Sequence, residues 1–190
     1  MIKKIFPAIL AIFSSFFFIN STQAQESYAN VTIQVPEDWH LRQMKLFTGS
    51  LPSKAWVFDN NQAEVLVSVI NAEGIREGLT NPSKATLIRL YTEEFVSGWG
   101  GKIDKTATHE FEAATFCDGH AGVEVKATFG QDTYIYYGCL KHNQDWTKLS
   151  TVVTWMKTPE PPVGEIQENS DTSSAAQRLS GFLAGIQYDQ

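Results

Sequence analysis

Residues 121–141 read AGVEVKATFGQDTYIYYGCLK, and how this stretch is read decides the fold. Val123, Val125, Ala127 and Phe129 alternate with Glu124, Lys126 and Thr128, which is the period-two pattern of a half-buried strand. Gly130-Gln131-Asp132 supplies a turn, and Ile135, Tyr137 and Cys139 continue the apolar side on the way back. Working towards the N-terminus, Phe111, Ala113 and Thr115 form one side of an earlier strand that ends at the turn Asp118-Gly119-His120. Working towards the C-terminus, Leu149, Thr151, Val153 and Trp155 form a fourth strand after the loop His142 to Trp146. Residues 109–157 are therefore predicted to be an antiparallel meander. Its opposite face carries Glu112, Glu124, Lys126, Thr128, Tyr134 and Tyr136, a mixture that suits a wet or partly covered surface.

Upstream, Val31, Ile33 and Val35 alternate with Thr32 and Gln34 before Pro36, which predicts a first strand. Ala55 to Phe58 and Ala63 to Ile70 read as a second and a third, turned at Asp59-Asn60-Asn61. The period then changes. Leu87, Leu90, Tyr91, Phe95 and Trp99 recur at steps of three and four, predicting an amphipathic helix from about Pro82 to Ser97, capped by Asn81 and stopped by Gly98, Gly100 and Gly101. Residues 158–174, with Pro159, Pro161 and Pro162, read as a mobile exposed loop. Leu179, Phe182, Leu183 and Ile186 then mark a terminal helix starting near Ser173 or Ser174. The predicted class is α+β, an antiparallel meander with two main helices packed on it.

This order of elements, and the run of Val31–Val35 into Pro36-Glu37-Asp38-Trp39, resembles the PsbP-like superfamily and, within it, the small exported bacterial members. The superfamily also includes the extrinsic oxygen-evolving protein of photosystem II and a Ran-binding nuclear protein. The resemblance implies an α/β/α sandwich and a non-catalytic role in binding or assembly. It carries no active-site residue across. The cysteine pair and the long loop at 158–174 depart from the pattern.

The N-terminus looks like an export signal: Lys3 and Lys4 precede the apolar run Ile5 to Ile19, and Thr22-Gln23-Ala24 suits cleavage. Residues 25–190 are then expected to form one domain, periplasmic or secreted. The first 24 residues hold two of the 15 basic side chains and no acid, so the remainder balances 13 basic against 21 acidic groups. A chain this acidic, without a basic run, is a poor match for nucleic acid. No second apolar stretch is long enough for a membrane span.

The chemistry worth weighing is a doublet, Cys117-Asp118-Gly119-His120 and Cys139-Leu140-Lys141-His142. One reading is a disulfide between Cys117 and Cys139, fitting an oxidising compartment and contributing about 3 kcal/mol on the chain-entropy model. It requires Cys117 to leave the ladder and fold over an intervening strand. The rival, exclusive reading is a zinc site of Cys117, His120, Cys139 and His142, since zinc accepts two thiolates and two imidazoles. Pairing 121–129 with 133–141 would set residues 120 and 142 opposite each other.

No nucleophile elbow or phosphate-binding glycine loop is present. A secreted hydrolase would need a site assembled from scattered residues such as His109, Asp118, His120 and Asp145. Glu112, Lys126, Tyr134 and Tyr136 would form a shallow patch able to meet a partner peptide, a small molecule or a sugar ring. Strand addition at Val31–Val35 or Leu149–Trp155 is a further route to a partner. The resulting expectation is a binding domain that engages another protein, needs no cofactor, and has metal binding and hydrolysis as its alternatives.

Overall fold

The computed structural model describes residues 24–48, 52–73, 102–111, 114–157 and 170–189, with the backbone alone at 103–111, 157 and 170–172. In chain order the strands are β1 (Gln25–Tyr28), β2 (Val31–Gln34), β3 (His40–Phe47), β4 (Ser53–Asp59), β5 (Glu64–Asn71), β6 (Lys102–Phe111), β7 (Ala121–Phe129), β8 (Asp132–His142), β9 (Lys148–Lys157) and β10 (Ile186–Tyr188). A 3-10 turn covers Thr115–Cys117 and one helix, α1, covers Ser170–Gly185.

The β7–β8 hairpin of the meander forms one residue away from the predicted register, while the strand predicted through Phe111, Ala113 and Thr115 is corrected: β6 ends at Phe111, Thr115 lies in the 3-10 turn, and Lys126 faces Asp104. Phe129 faces Asp132, so only Gly130 and Gln131 make the turn, with Gly130 at φ 59° where a side chain would be strained. Ala121 therefore faces Leu140 and Val125 faces Tyr136. Because strand side chains alternate, a slip of one residue moves every side chain of one strand to the other face. Tyr134 and Tyr136 join Val123, Val125 and Ala127, whereas Ile135, Tyr137 and Cys139 share a face with Glu124 and Lys126.

Seven strands form one antiparallel sheet in the order β3-β4-β5-β9-β8-β7-β6. The β4–β5 turn is made by Asn60, whose Oδ1 accepts the N–H groups of Gln62 and Ala63, and by Asn61 at φ 67°. On one face, here the helix side, Trp56, Phe58, Val65, Val67, Val69, Tyr137, Cys139 and Val152 are buried against a second layer. That layer consists of α1 and a small sheet in the order β1-β2-β10. Ala175, Leu179, Phe182 and Leu183, spaced by three and four, form the stripe α1 turns inward. The chain passes directly from α1 into β10, and a Cβ on Gly185 would overlap the carbonyl oxygen of Gln34, so glycine permits the junction. Lys141 fixes the same end of the helix by donating to the carbonyls of Leu183 at 2.7 Å and Ile186 at 2.8 Å. The far face of the large sheet is apolar too: Leu66, Ile70, Val123, Val125, Tyr136, Leu140, Leu149 and Val153 are buried there. Among the described residues, no helix or strand lies on it.

The α+β class with two main helices in an α/β/α sandwich is thus overturned. The described chain is mostly antiparallel sheet with one helix, and the helix shares its layer with three strands. The helix predicted at Pro82–Ser97 and residues 1–23 of the predicted signal lie outside the described residues. Of the loop predicted at 158–174, residues 158–169 lie outside as well, and α1 already begins at Ser170. Among the described residues no helix is long and apolar enough to cross a membrane.

Two tyrosines tie this packing to pH. Burial pushes the phenols of Tyr136 and Tyr188 well above the ordinary value of 10, with Tyr134 adding to the effect on Tyr136 and the Ser150 hydroxyl opposing in part the effect on Tyr188. A raised folded value means that the stabilisation is complete below pH 10 and is lost as pH rises above it, because only the unfolded chain ionises there. Each phenol should therefore lower the stability as pH rises through that window. Urea midpoints at about pH 8 and about pH 11 should show the loss, and Tyr136→Phe or Tyr188→Phe should each make it smaller. A loss unchanged in both variants would mean that other groups carry it.

Candidate functional site

Cys117 and Cys139 form a disulfide with their Cα atoms 5.5 Å apart. Cys117 lies on the 3-10 turn before β7, and Cys139 lies on β8, where it faces Gly122 of β7. The bond therefore crosses over β7, and Gly122 makes the crossing fit. A Cβ there would sit 2.7 Å from Ala114 Cβ, 2.8 Å from Cys117 Sγ and 2.9 Å from the Phe116 ring. The turn is closed by Cys117 N–H donating to Ala114 O and His120 N–H donating to Cys117 O, with Asp118 and Gly119 at positive φ between them. Both cysteines are fully buried, which points to a structural crosslink shielded from thiol exchange.

The four residues of the zinc reading are not assembled. Cys139 and His142 lie three apart within one regular strand, so their side chains leave on opposite faces. Cys139 points to the helix side, whereas the His142 ring stacks on Trp146 at 3.6 Å and its Nδ1 lies 2.7 Å from Asn143 O. With Ala121 facing Leu140, the position across from His120 is Lys141 and not His142. In the bonded form neither sulfur is a thiolate.

The proposed patch is also dispersed. Glu112 lies outside the described residues. Lys126 is exposed on the helix-side face opposite Ile135, while Tyr134 and Tyr136 lie on the far face in a ring cluster with Phe129 and Trp155 at centroid distances of 5.9–6.3 Å. Tyr136 is buried. As for the hydrolase residues, the His109 backbone pairs with Glu124 and its side chain is outside the described set. Asp118 occupies the turn beside the disulfide, and Asp145 accepts from Thr147 N–H and Oγ1 in the β8–β9 loop. Both edges expected for strand addition are interior: β2 runs between β1 and β10, and β9 between β5 and β8.

Among the described residues, a surface that does stand open is β3, the first edge of the large sheet. All eight of its residues are exposed, among them Leu41 at 46%, Met44 at 54%, Leu46 at 58% and Phe47 at 42%. The pairing with β4 shifts between Leu41 and Gln43, which makes Arg42 an extra residue. Past this bulge the alternation resumes, so Leu41, Met44 and Leu46 form a row on the helix-side face, across from Phe58, Trp56 and Lys54. Gln43, Lys45 and Phe47 occupy the far face. The second layer stops short of the row. Its edge strand β1 sits over β4, where Trp56 Nε1 donates to Glu26 at 2.8 Å and Lys54 Nζ lies 3.9 Å from the same carboxylate. Arg42 is paired with Glu64, and Lys45 Nζ lies 5.1 Å from the centre of the Phe47 ring.

Sequence reasoning missed β3 because the bulge breaks its alternation: His-Leu-Arg-Gln-Met-Lys-Leu-Phe shows neither period two nor period 3.6. The available signal was the pair Met44 and Leu46 separated by Lys45, too short to stand alone. No protein-family model matches the chain, and no curated protein does.

Proposed function

We propose that this is an exported binding domain that acts without catalysis and engages a protein partner by strand addition along β3. The observation that carries the reading is an edge strand exposed over its whole length and bearing a row of apolar side chains. The unpaired N–H and C=O groups of an edge template another strand, and native sheets usually shield them. The shielding is partial here. The bulge at Arg42 interrupts one end, and residues 43–47 run on regularly against β4. A partner strand would gain main-chain hydrogen bonds and cover Leu41, Met44 and Leu46 together. The cysteine bond fits an oxidising compartment, and the signal-like N-terminus supplies the route.

Site-specific photocrosslinking tests the reading. With benzoylphenylalanine in place of Leu46, the protein should crosslink a discrete polypeptide from the source cell's envelope or culture medium. The same group in place of exposed Asp118 should not. Equal labelling from both positions, or none from Leu46, would overturn the assignment of β3.

A further inference from the structure

Resting on the strand-addition reading, we infer that β3 accepts an extended segment that alternates apolar and acidic side chains. An added strand places its own side chains beside those of β3 on each face, directly across the new ladder. On the helix side its neighbours are Leu41, Met44 and Leu46, which select apolar residues. On the far face its neighbours are Gln43, Lys45 and Phe47, and the charge there is positive.

The charge pattern around the edge supports an acid at that position. From Trp39 to Phe58 there is no aspartate or glutamate, while His40, Arg42, Lys45 and Lys54 all fall in this span, in a chain of net charge −6. Arg42 and Lys54 already have carboxylates, those of Glu64 and Glu26. Among the described residues no carboxylate pairs with Lys45, whose ammonium lies near the Phe47 ring. An incoming carboxylate would meet Lys45 and no acid along the strand. A second copy of this chain is a worse occupant. Two β3 strands paired antiparallel would bring Arg42 and Lys45 of one copy close to those of the other, and like charges facing each other across a ladder are destabilising.

Three labelled, end-blocked heptapeptides provide the probes: Val-Glu-Val-Glu-Val-Glu-Val, its Lys-for-Glu counterpart and its Ser-for-Glu counterpart. Fluorescence anisotropy with the whole protein should rank the glutamate peptide first and the lysine peptide last, about tenfold apart at low salt and closer at high salt. Lys45→Glu, an exposed change that leaves the core intact, should reverse the order. Leu46→Lys should weaken all three peptides. If they bind equally and Leu46→Lys still weakens them, strand addition stands and the acidic preference is overturned. If none binds, or if binding ignores Leu46→Lys, the strand-addition reading fails with it. Reversible dimerisation of the protein alone that Leu46→Lys abolishes would make a second copy the occupant and overturn the inference.

Discussion

Phe182→Ala should destabilise the protein by about 3–5 kcal/mol, the range for deleting a large aromatic from a well-packed core. Phe182 is fully buried on α1 and touches two elements at once. Its ring centre lies 5.1 Å from Trp39, edge to face, and 5.1 Å from Phe58 of β4. It thus joins the helix, the β2–β3 connection and the large sheet. The cavity would be hard to close, because Trp39 and Phe58 are each held by their own strand connections and cannot both move in. Against a typical stability of 5–15 kcal/mol, the loss is a large share. Urea unfolding followed by tryptophan fluorescence should show the lower midpoint with an unchanged slope. A cost below about 1 kcal/mol would show that α1 is not docked through this residue.

The elements differ in how far the sequence made them legible. Most of the inward stripe of α1 was readable because Leu179, Phe182 and Leu183 recur at steps of three and four, whereas Ile186, read as its next turn, is the first residue of β10. The β7 and β8 strands were readable as strands, but not in register. Tyr134-Ile135-Tyr136-Tyr137 is apolar on both sides because both faces of the sheet are buried there, so alternation could not say which side was which. The register rested on the turn alone, and reading it as three residues placed Lys126 beside the tyrosines from which the two-residue turn separates it. The hairpin of β1 and β2 was invisible for another reason. Its turn places Ala29 at φ 51° and Asn30 at φ 60°, and alanine seldom marks a left-handed position. Of the binding edge, the sequence showed the residues and hid their arrangement, because the bulge at Arg42 converts a spacing of three into one face.

The last expected result concerns the crosslink. Changing both Cys117 and Cys139 to alanine should cost about 3 kcal/mol, since the 22-residue separation closes a loop that the unfolded chain must then explore freely. In a domain of this size that corresponds to a fall in melting temperature of roughly 10 °C. The consequence should reach beyond the loop. The 3-10 turn that carries Cys117 packs against α1, and Phe116 from the same turn meets Tyr137 edge to face at 5.5 Å. Backbone hydrogen bonds within 114–120 close the turn on itself, and the sulfur bridge and the Phe116 ring fasten it to β8 over Gly122. Hydrogen exchange should therefore quicken in residues 114–120 and along α1 in the variant, while β4 and β5 keep their protection. The native protein should also resist reductant until it unfolds, because neither sulfur is exposed. Equal melting temperatures for the two proteins, together with two titratable thiols in the untreated chain, would show that the bond is not formed and that packing alone holds the turn across the sheet.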